Sequence, residues 1–175
     1  METETFLAIF TDESGRRQLV KKKVLVMKIV KINYGSCAYQ ETLALRNRIM
    51  RKPLGLDIFQ EDFSQEAKAL ILGAYNEVGS SLLGVAVMSH QPEGWQAVDY
   101  LCVDTQLQSK GVGRKLLAEL EATARKQGAQ GIWLEARVSA KGFYEKLGYR
   151  SFGEVYEMPH APVPHIKMDK IFPLS

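Results

Sequence analysis

The sequence contains few of the residues that form disulfides or bind metals: two cysteines and three histidines among 175 residues. Cys37 and Cys102 lie far apart and lack metal-ligand spacing, which favours two reduced thiols over a disulfide or a zinc site. His160 and His165 also lack convincing zinc spacing. The composition argues against a disulfide scaffold, and we expect no metal.

Long apolar runs are also missing. No stretch approaches the ~18 apolar residues that a membrane span requires, and Lys28 interrupts the apolar run at residues 24–30. Glu2 and Glu4 stand where a secretory signal would be basic. We therefore expect a cytoplasmic protein with no membrane partner.

A strong excess of one charge is absent as well. The chain has 23 Lys and Arg against 20 Asp and Glu, a net charge of +3. That excess is too small to indicate a nucleic-acid partner, although it would not oppose a polyanionic small ligand. The hydrophobic content of 46% is ordinary for a globular protein, and the length suffices for one domain with a core.

The chain divides at Met27. Residues 1–26 are predicted to be an N-terminal extension or an added hairpin, with a weakly alternating run and a turn. Residues 27–175 are predicted to form the main domain. Neither alternative for the first segment is favoured by the residues themselves.

Strand-like runs at residues 67–75, 82–89 and 95–103 follow one another with turns between them. Helical crossovers come only afterwards, which predicts a mixed α+β sheet with an antiparallel meander. Further strands are expected in the second half, and Ser139 is expected to cap a short helix. Residues 158–164 hold three prolines and are predicted to be an extended linker.

A basic cluster ends the first predicted helix, which Ser36 caps and which runs from residue 37 to about 50. The cluster comprises Arg46, Arg48, Arg51 and Lys52. We favour a solvated helix end, where cations suit the helix dipole. The alternative is an acidic ligand group bound near a pocket.

The strongest helix signal covers residues 112–127, with apolar side chains at four-residue steps, and Gly128 ends it. Before it stands a glycine turn, residues 108–113, with Gly111 and Gly113. Glycines let a backbone approach a phosphate closely, and a helix N-terminus offers free amides. The turn lacks the Walker ending and the third glycine of a dinucleotide fingerprint. It is an anion-binding site or a plain strand-to-helix turn.

Three segments together resemble the GCN5-related N-acetyltransferase (GNAT) family. They are Leu-Cys-Val at residues 101–103, Gln-Ser-Lys-Gly-Val-Gly at 108–113, and Phe-Tyr-Glu-Lys-Leu-Gly-Tyr at 143–149. The resemblance implies an α+β fold of the GNAT type. It would have a mixed, largely antiparallel central sheet, a split between two parallel strands, and about four flanking helices. Residues 45–46, 51–55 and 164–168 are similar to a poorly characterised bacterial subgroup of that family.

The resemblance also implies acetyl-CoA as co-substrate. Main-chain groups of Leu101 and Val103 would bind the acetyl and pantetheine parts, since a splayed strand leaves such groups unpaired. The pyrophosphate would be bound by the turn residues Gln108, Ser109, Lys110, Gly111, Val112, Gly113 and Arg114.

Tyr144 matches the family's frequent general acid, which protonates the departing thiolate. Relatives often carry an asparagine seven residues earlier, where this chain has Arg137. Some relatives have a glutamate where this chain has Ala97, so the sequence does not identify the general base. The candidates are Asp99, Glu135, His90, His165 and a water chain.

The resemblance predicts an acetyl-CoA-dependent N-acetyltransferase that acts on a primary amine by direct transfer in a ternary complex. A non-catalytic acyl-CoA-binding regulatory module and a structural domain without a CoA site are the alternatives. The acceptor is a small-molecule amine or a peptide or protein amine, and a homodimer is one arrangement open to the chain.

Overall fold

The computed structural model describes residues 3–11, 15–76, 79, 81–108 and 110–173. The strands β1 (Thr3–Thr11) and β2 (Arg17–Leu25) pair antiparallel as a hairpin and form a two-stranded sheet of their own. The division of the chain at Met27 stays a prediction.

The main sheet has seven strands in the order β3-β4-β5-β6-β7-β9-β8 among the described residues. Their bounds are β3 (Met27–Lys31), β4 (Leu70–Asn76), β5 (Leu82–His90), β6 (Trp95–Val103), β7 (Gly131–Arg137), β8 (Arg150–Met158) and β9 (Ala161–Ile171). Strands β4, β5 and β6 form the predicted antiparallel meander, and β6 pairs parallel with β7. The α+β class with a mixed sheet is confirmed.

Three α-helices lie within the described residues, α1 (Cys37–Arg46), α2 (Val112–Lys126) and α3 (Lys141–Glu145). A π-helical turn, Asn47–Arg51, extends α1, and short 3-10 turns occupy further connections. The apolar stripe of α2 is at most 1% exposed and packs on one face of the sheet; it comprises Val112, Leu116, Leu120 and Ala124. Helix α1 covers the opposite face. In the described part of the chain, no helix combines the length and apolar character that a membrane crossing requires.

The predicted linker at residues 158–164 is wrong. Strand β8 ends at Met158, a turn follows, and β9 already begins at Ala161. Pairing of β9 with β7 starts only at His165, so Pro162 and Pro164 lie where one side of β9 has no ladder. Proline is tolerated there because its missing N–H removes no hydrogen bond.

The predicted cap at Ser139 is also wrong. A 3-10 turn, Val138–Ala140, leads into α3, whose N-cap position is Ala140 without a side-chain hydrogen bond. Ser139 belongs to this 3-10 turn and stands one residue before the N-cap position, so its side chain does not cap α3.

Candidate active site

Strands β6 and β7 separate after four paired positions. The last pair is Val98 with Leu134, whereas β6 continues to Val103 and β7 to Arg137. The two carboxyl-terminal ends therefore diverge into a V-shaped split. Main-chain groups that would complete a parallel ladder face this split without a strand partner.

Beyond its last pair with β7, strand β6 points the main-chain groups of successive residues to alternate sides. The N–H of Asp104 donates to the carbonyl of Leu83 on the β5 side at 3.0 Å. Successive residues of a strand point their N–H and C=O groups to opposite sides, so Cys102 also faces β5. Leu101 and Val103 consequently direct their main-chain groups toward the split.

A β-bulge lies at the same level. Val87 pairs with Tyr100 and Met88 pairs with Val98, so Asp99 is the extra residue of β6. Bulges bend a strand and redirect side chains. This one places the Asp99 carboxyl beside the point where the split begins.

The glycine turn stands at the open end of the split. Gly111 is the N-cap of α2 in the left-handed conformation, with φ of 87°, and a side chain there would meet no atom within 4 Å. The amide of Lys110 is occupied, because it donates to the carbonyl of Leu107 at 3.2 Å. The following amides have no acceptor among the described residues; they are those of Gly111, Val112, Gly113 and Arg114.

The side chains of the turn residues Gln108, Lys110 and Arg114 are exposed. Ser109 lies outside the described residues. Gly113 brings the turn close to its neighbours, since a Cβ built there would lie 3.4 Å from Val103 and 3.5 Å from the ring of Phe143. The turn, the end of β6 and helix α3 thus meet at one place.

Tyr144 lies next to this meeting point, on α3. Its ring is buried and packs at 5.0 Å from Phe143 and 5.7 Å from Tyr149. Its hydroxyl has no hydrogen-bond partner among the described residues, and protein atoms do not enclose the hydroxyl oxygen completely. Burial raises the pKa of the Tyr144 phenol, so it stays protonated at neutral pH. Neither cavity described below is lined by Tyr144.

Two cavities open beside the vertex of the split. The first, of about 230 Å³, is lined by both diverging strands, by the π-helical turn and by the turn between β8 and β9. The second, of about 360 Å³, extends under the 3-10 turns that follow α1. Both are lined by Asp99, Tyr100 and His160, so the two cavities adjoin; together they are called the cleft.

Asp99 is the carboxyl best placed in this cleft. Ser89 Oγ donates to its Oδ1 at 3.1 Å, and the side chain keeps access to solvent while protein atoms surround it on the remaining sides. Desolvation, together with the charges of Glu66 and Glu135, raises the pKa of Asp99 to about 6, against the lowering effect of the Ser89 hydrogen bond and of Arg46. A carboxyl with that pKa is ionised at neutral pH and still basic enough to take a proton.

The other predicted base candidates are less available. Glu135 lines the first cavity and accepts a hydrogen bond from the Tyr156 hydroxyl. His165 also lines it, and its Nδ1 lies 2.6 Å from the carbonyl of Val163, which fixes the proton on that nitrogen. Burial lowers the pKa of His165. His90 lines neither cavity and is bonded to Gln96.

The favoured interpretation of the basic cluster is wrong for two of its members. Arg46 is fully buried and makes two hydrogen bonds with Glu66, at 2.6 and 3.0 Å. Its guanidinium lies 4.5 Å from the ring centre of Tyr100. Arg51 is also buried and forms a similar pair with Glu61. These pairs join the end of α1 and its π-helical turn to the loop that follows. Tyr100 of β6 contacts both guanidinium groups, so the pairs shape one wall of the cleft.

The sequence did not reveal these pairs. Arg46 and Glu66 are 20 residues apart, and no spacing rule joins charges at that separation. Charged residues are ordinarily exposed, so burial of an arginine becomes visible only in the folded structure. Arg48 and Lys52 are exposed as expected.

Arg137 projects from the end of β7 into the first cavity. Its Nη2 donates to the carbonyl of Met50 at 3.0 Å, and its Nε is enclosed without a hydrogen-bond partner. Desolvation lowers the pKa of Arg137, and the nearby positive charge of Arg51 lowers it further. No carboxylate of the described residues lies within ion-pair distance of it.

The model of the acetyltransferase (GNAT) domain matches residues 38–172, most of the chain. The chain belongs to the GNAT family. An uncharacterized N-acetyltransferase of Bacillus subtilis, YjcF, is 37% identical over 78 residues, which cover 45% of this chain and 55% of that protein. The match thus spans about half the length of this curated relative.

Solved structures of GNAT proteins share the fold. A putative N-acetyltransferase from Lactobacillus plantarum superposes with a TM-score of 0.72 at 20% identity, over 83% of this chain and 97% of that one. An aminoglycoside 6'-N-acetyltransferase solved with coenzyme A gives a TM-score of 0.66 at 16% identity, over 85% and 99%. These likenesses confirm the predicted GNAT architecture.

Proposed function

We propose that this GNAT protein is an acetyl-CoA-dependent N-acetyltransferase that acetylates a primary amine by direct transfer in a ternary complex. The observation that carries the proposal is that one split joins three features. The β6–β7 split has the Asp99 cleft at its vertex and the free amides at the start of α2 at its open end.

The chain's features fit coenzyme A. The unpartnered amides from Gly111 to Arg114 suit a pyrophosphate, because a helix N-terminus combines free donors with a favourable dipole. The main chain of Leu101 and Val103 suits the amides of pantetheine. Gln108, Ser109 and Lys110 are also proposed to contact the pyrophosphate. Lys110 would do so through its exposed side chain, because its amide already donates to Leu107. When bound, acetyl-CoA supplies an activated acyl group in the form of a thioester.

Asp99 is proposed as the base that removes a proton from the acceptor ammonium. The neutral amine then forms a C–N bond to the thioester carbonyl carbon, and the C–S bond breaks. A main-chain N–H facing the split would stabilise the charge on the carbonyl oxygen. Tyr144 is proposed to give its proton to the leaving thiolate. The attacking nitrogen loses its second proton to water as the amide forms, and Tyr144 recovers a proton from solvent.

The non-catalytic acyl-CoA-binding module keeps one observation in its favour, since Tyr144 lines neither cavity. The acceptor is proposed to be an amine of a small molecule, a peptide or a protein. The cytoplasmic location and a homodimer stay predictions.

A thermal-shift titration with acetyl-CoA, followed by an amine panel with thiol release as readout, tests the proposal. Ligand at about 100 times its Kd should stabilise the fold by ~2.7 kcal/mol. Binding together with amine-dependent thiol release supports the enzyme. Binding without release for any amine favours the module, and the lack of a shift at millimolar acetyl-CoA overturns both.

A further inference from the structure

The first cavity carries separated charges of both signs. Asp99 and Glu135 lie on its walls, and each strand of the split contributes one of them. Arg137 lies on the same cavity, at the end of β7. Arg51, the other arginine of the lining, is already neutralised by Glu61. Arg137 therefore supplies a positive charge that the described residues leave without a carboxylate.

A partly desolvated guanidinium without a counter-ion is costly to keep. Arg137 has one carbonyl partner, and its Nε has none. The planar fork of an arginine matches a carboxylate, which can accept two N–H groups at once. A ligand carboxylate in this cavity would provide the missing charge.

The location of Arg137 indicates which ligand brings that anion. Its bond to Met50 draws the guanidinium toward the segment that follows α1. Helix α2, whose amides suit the pyrophosphate, packs on the opposite face of the sheet. Met158 at the end of β8 and His160 in the turn after it line the same cavity as Arg137. This is the acceptor side of the split rather than the cofactor side.

We propose that the acceptor is a small amino acid, or a similar amine with a carboxylate, whose ammonium lies at Asp99 and whose carboxylate is bound by Arg137. The proposal rests on the proposed N-acetyltransferase function and deepens it. Arg137 then selects among amines through a charge that simple alkylamines cannot satisfy.

Matched acceptors test the proposal. Glycine, β-alanine and 4-aminobutyrate are compared with their methyl esters and with methylamine, ethylamine and propylamine. The kcat/KM of at least one amino acid should exceed that of its ester and of its alkylamine about 10- to 100-fold, the usual effect of a charged hydrogen bond. Equal rates within every trio would overturn it, and so would a protein that acetylates none of the acids.

Variants of Arg137 show where its charge acts. In Arg137→Gln, KM for the preferred amino acid should rise about 10- to 100-fold, while KM for the alkylamine and Kd for acetyl-CoA stay within twofold. Arg137→Lys should recover part of the loss. Arg150→Gln, at an exposed position of β8, is the matched control and should change nothing. If Arg137→Gln weakens acetyl-CoA and all acceptors equally, the guanidinium serves the donor and the proposal is wrong.

A binding measurement independent of turnover completes the test. Calorimetric titration of the preferred amino acid into protein saturated with coenzyme A should give heat for the natural chain and little for Arg137→Gln. Equal affinity in both would overturn the assignment. Acetyl-CoA binding with unselective acetylation defeats this inference alone, whereas no acetyl-CoA binding defeats the proposed function and this inference with it.

Discussion

Ser89 Oγ donates a 3.1 Å hydrogen bond to Oδ1 of Asp99, across two strands whose pairing is interrupted by the bulge at Asp99. The bond holds the carboxyl at the vertex of the split, where β6 and β7 cease to pair after Val98 and Leu134. One irregularity of a single strand therefore positions the proposed base and borders the opening for the thioester.

The pH dependence of the reaction should follow Asp99. Since its pKa is about 6, kcat/KM should fall as the pH drops below that value and the carboxyl becomes protonated. Asp99→Asn should lower kcat by about 10²- to 10⁴-fold and remove the acidic limb of the profile. A variant that keeps the limb would show that another group titrates.

The same substitution should stabilise the fold at neutral pH. Desolvation raises the pKa of Asp99 from 3.8 to about 6, so the folded protein holds the proton more tightly than the unfolded chain between these values. Stability therefore declines as the pH rises through this window. Because Asp99 remains exposed, we expect a gain of at most ~1 kcal/mol for Asp99→Asn above pH 6. Urea unfolding at pH 5 and pH 7.5 measures the difference.

Tyr144→Phe should keep the fold, because the ring packing is retained and the lost hydroxyl has no hydrogen-bond partner among the described residues. Acetyl-CoA affinity should stay the same, and kcat should fall about 10²- to 10⁴-fold through loss of the proton donor. Stopped-flow thiol release and calorimetry separate these effects. Unchanged turnover would contradict the assignment of the acid.

Gly111→Ala and Gly128→Ala form a matched pair at the two ends of α2. Both glycines have positive φ, 87° and 73°, and neither has atoms within 4 Å of a built Cβ. Each substitution should therefore cost a similar ~1 kcal/mol of stability. Only Gly111→Ala should raise KM for acetyl-CoA, since its methyl group enters the proposed pyrophosphate site. Equal KM values in the two variants would argue against that site.

Glu66→Gln should destabilise the protein by about 3 kcal/mol, because it leaves the buried Arg46 without its counter-charge. The control is Arg48→Gln. Arg48 pairs with Asp104, but its side chain is 60% exposed to solvent. An exposed ion pair contributes ~0–1 kcal/mol, so this variant should unfold almost like the natural protein. Chemical denaturation compares the two, and equal losses would contradict the burial argument.

Local patterns predicted the helix α2 and the strand meander, because their signals lie within a few residues. The four-residue apolar steps of α2 specify its buried face, and Gly128 ends it. The prediction of a linker at residues 158–164 was wrong for a physical reason. Whether Pro162 and Pro164 can join a strand depends on which neighbour lies beside them, and β7 does not reach that far.

The site divides in the same way. The glycine turn and the segment around Tyr144 each consist of consecutive residues, so both could be recognised in the sequence. The bulge at Asp99 and the lone charge of Arg137 depend on how distant strands are paired.

The sequence by itself determined the family, the main helix and the glycine turn, since hydrophobic periodicity and glycine placement act over short chain distances. Only the tertiary structure decided which charges are buried, which are paired and which face the cleft. Desolvation and ion pairing depend on distances in space between residues such as Arg46 and Glu66, and these distances are set when the sheet assembles.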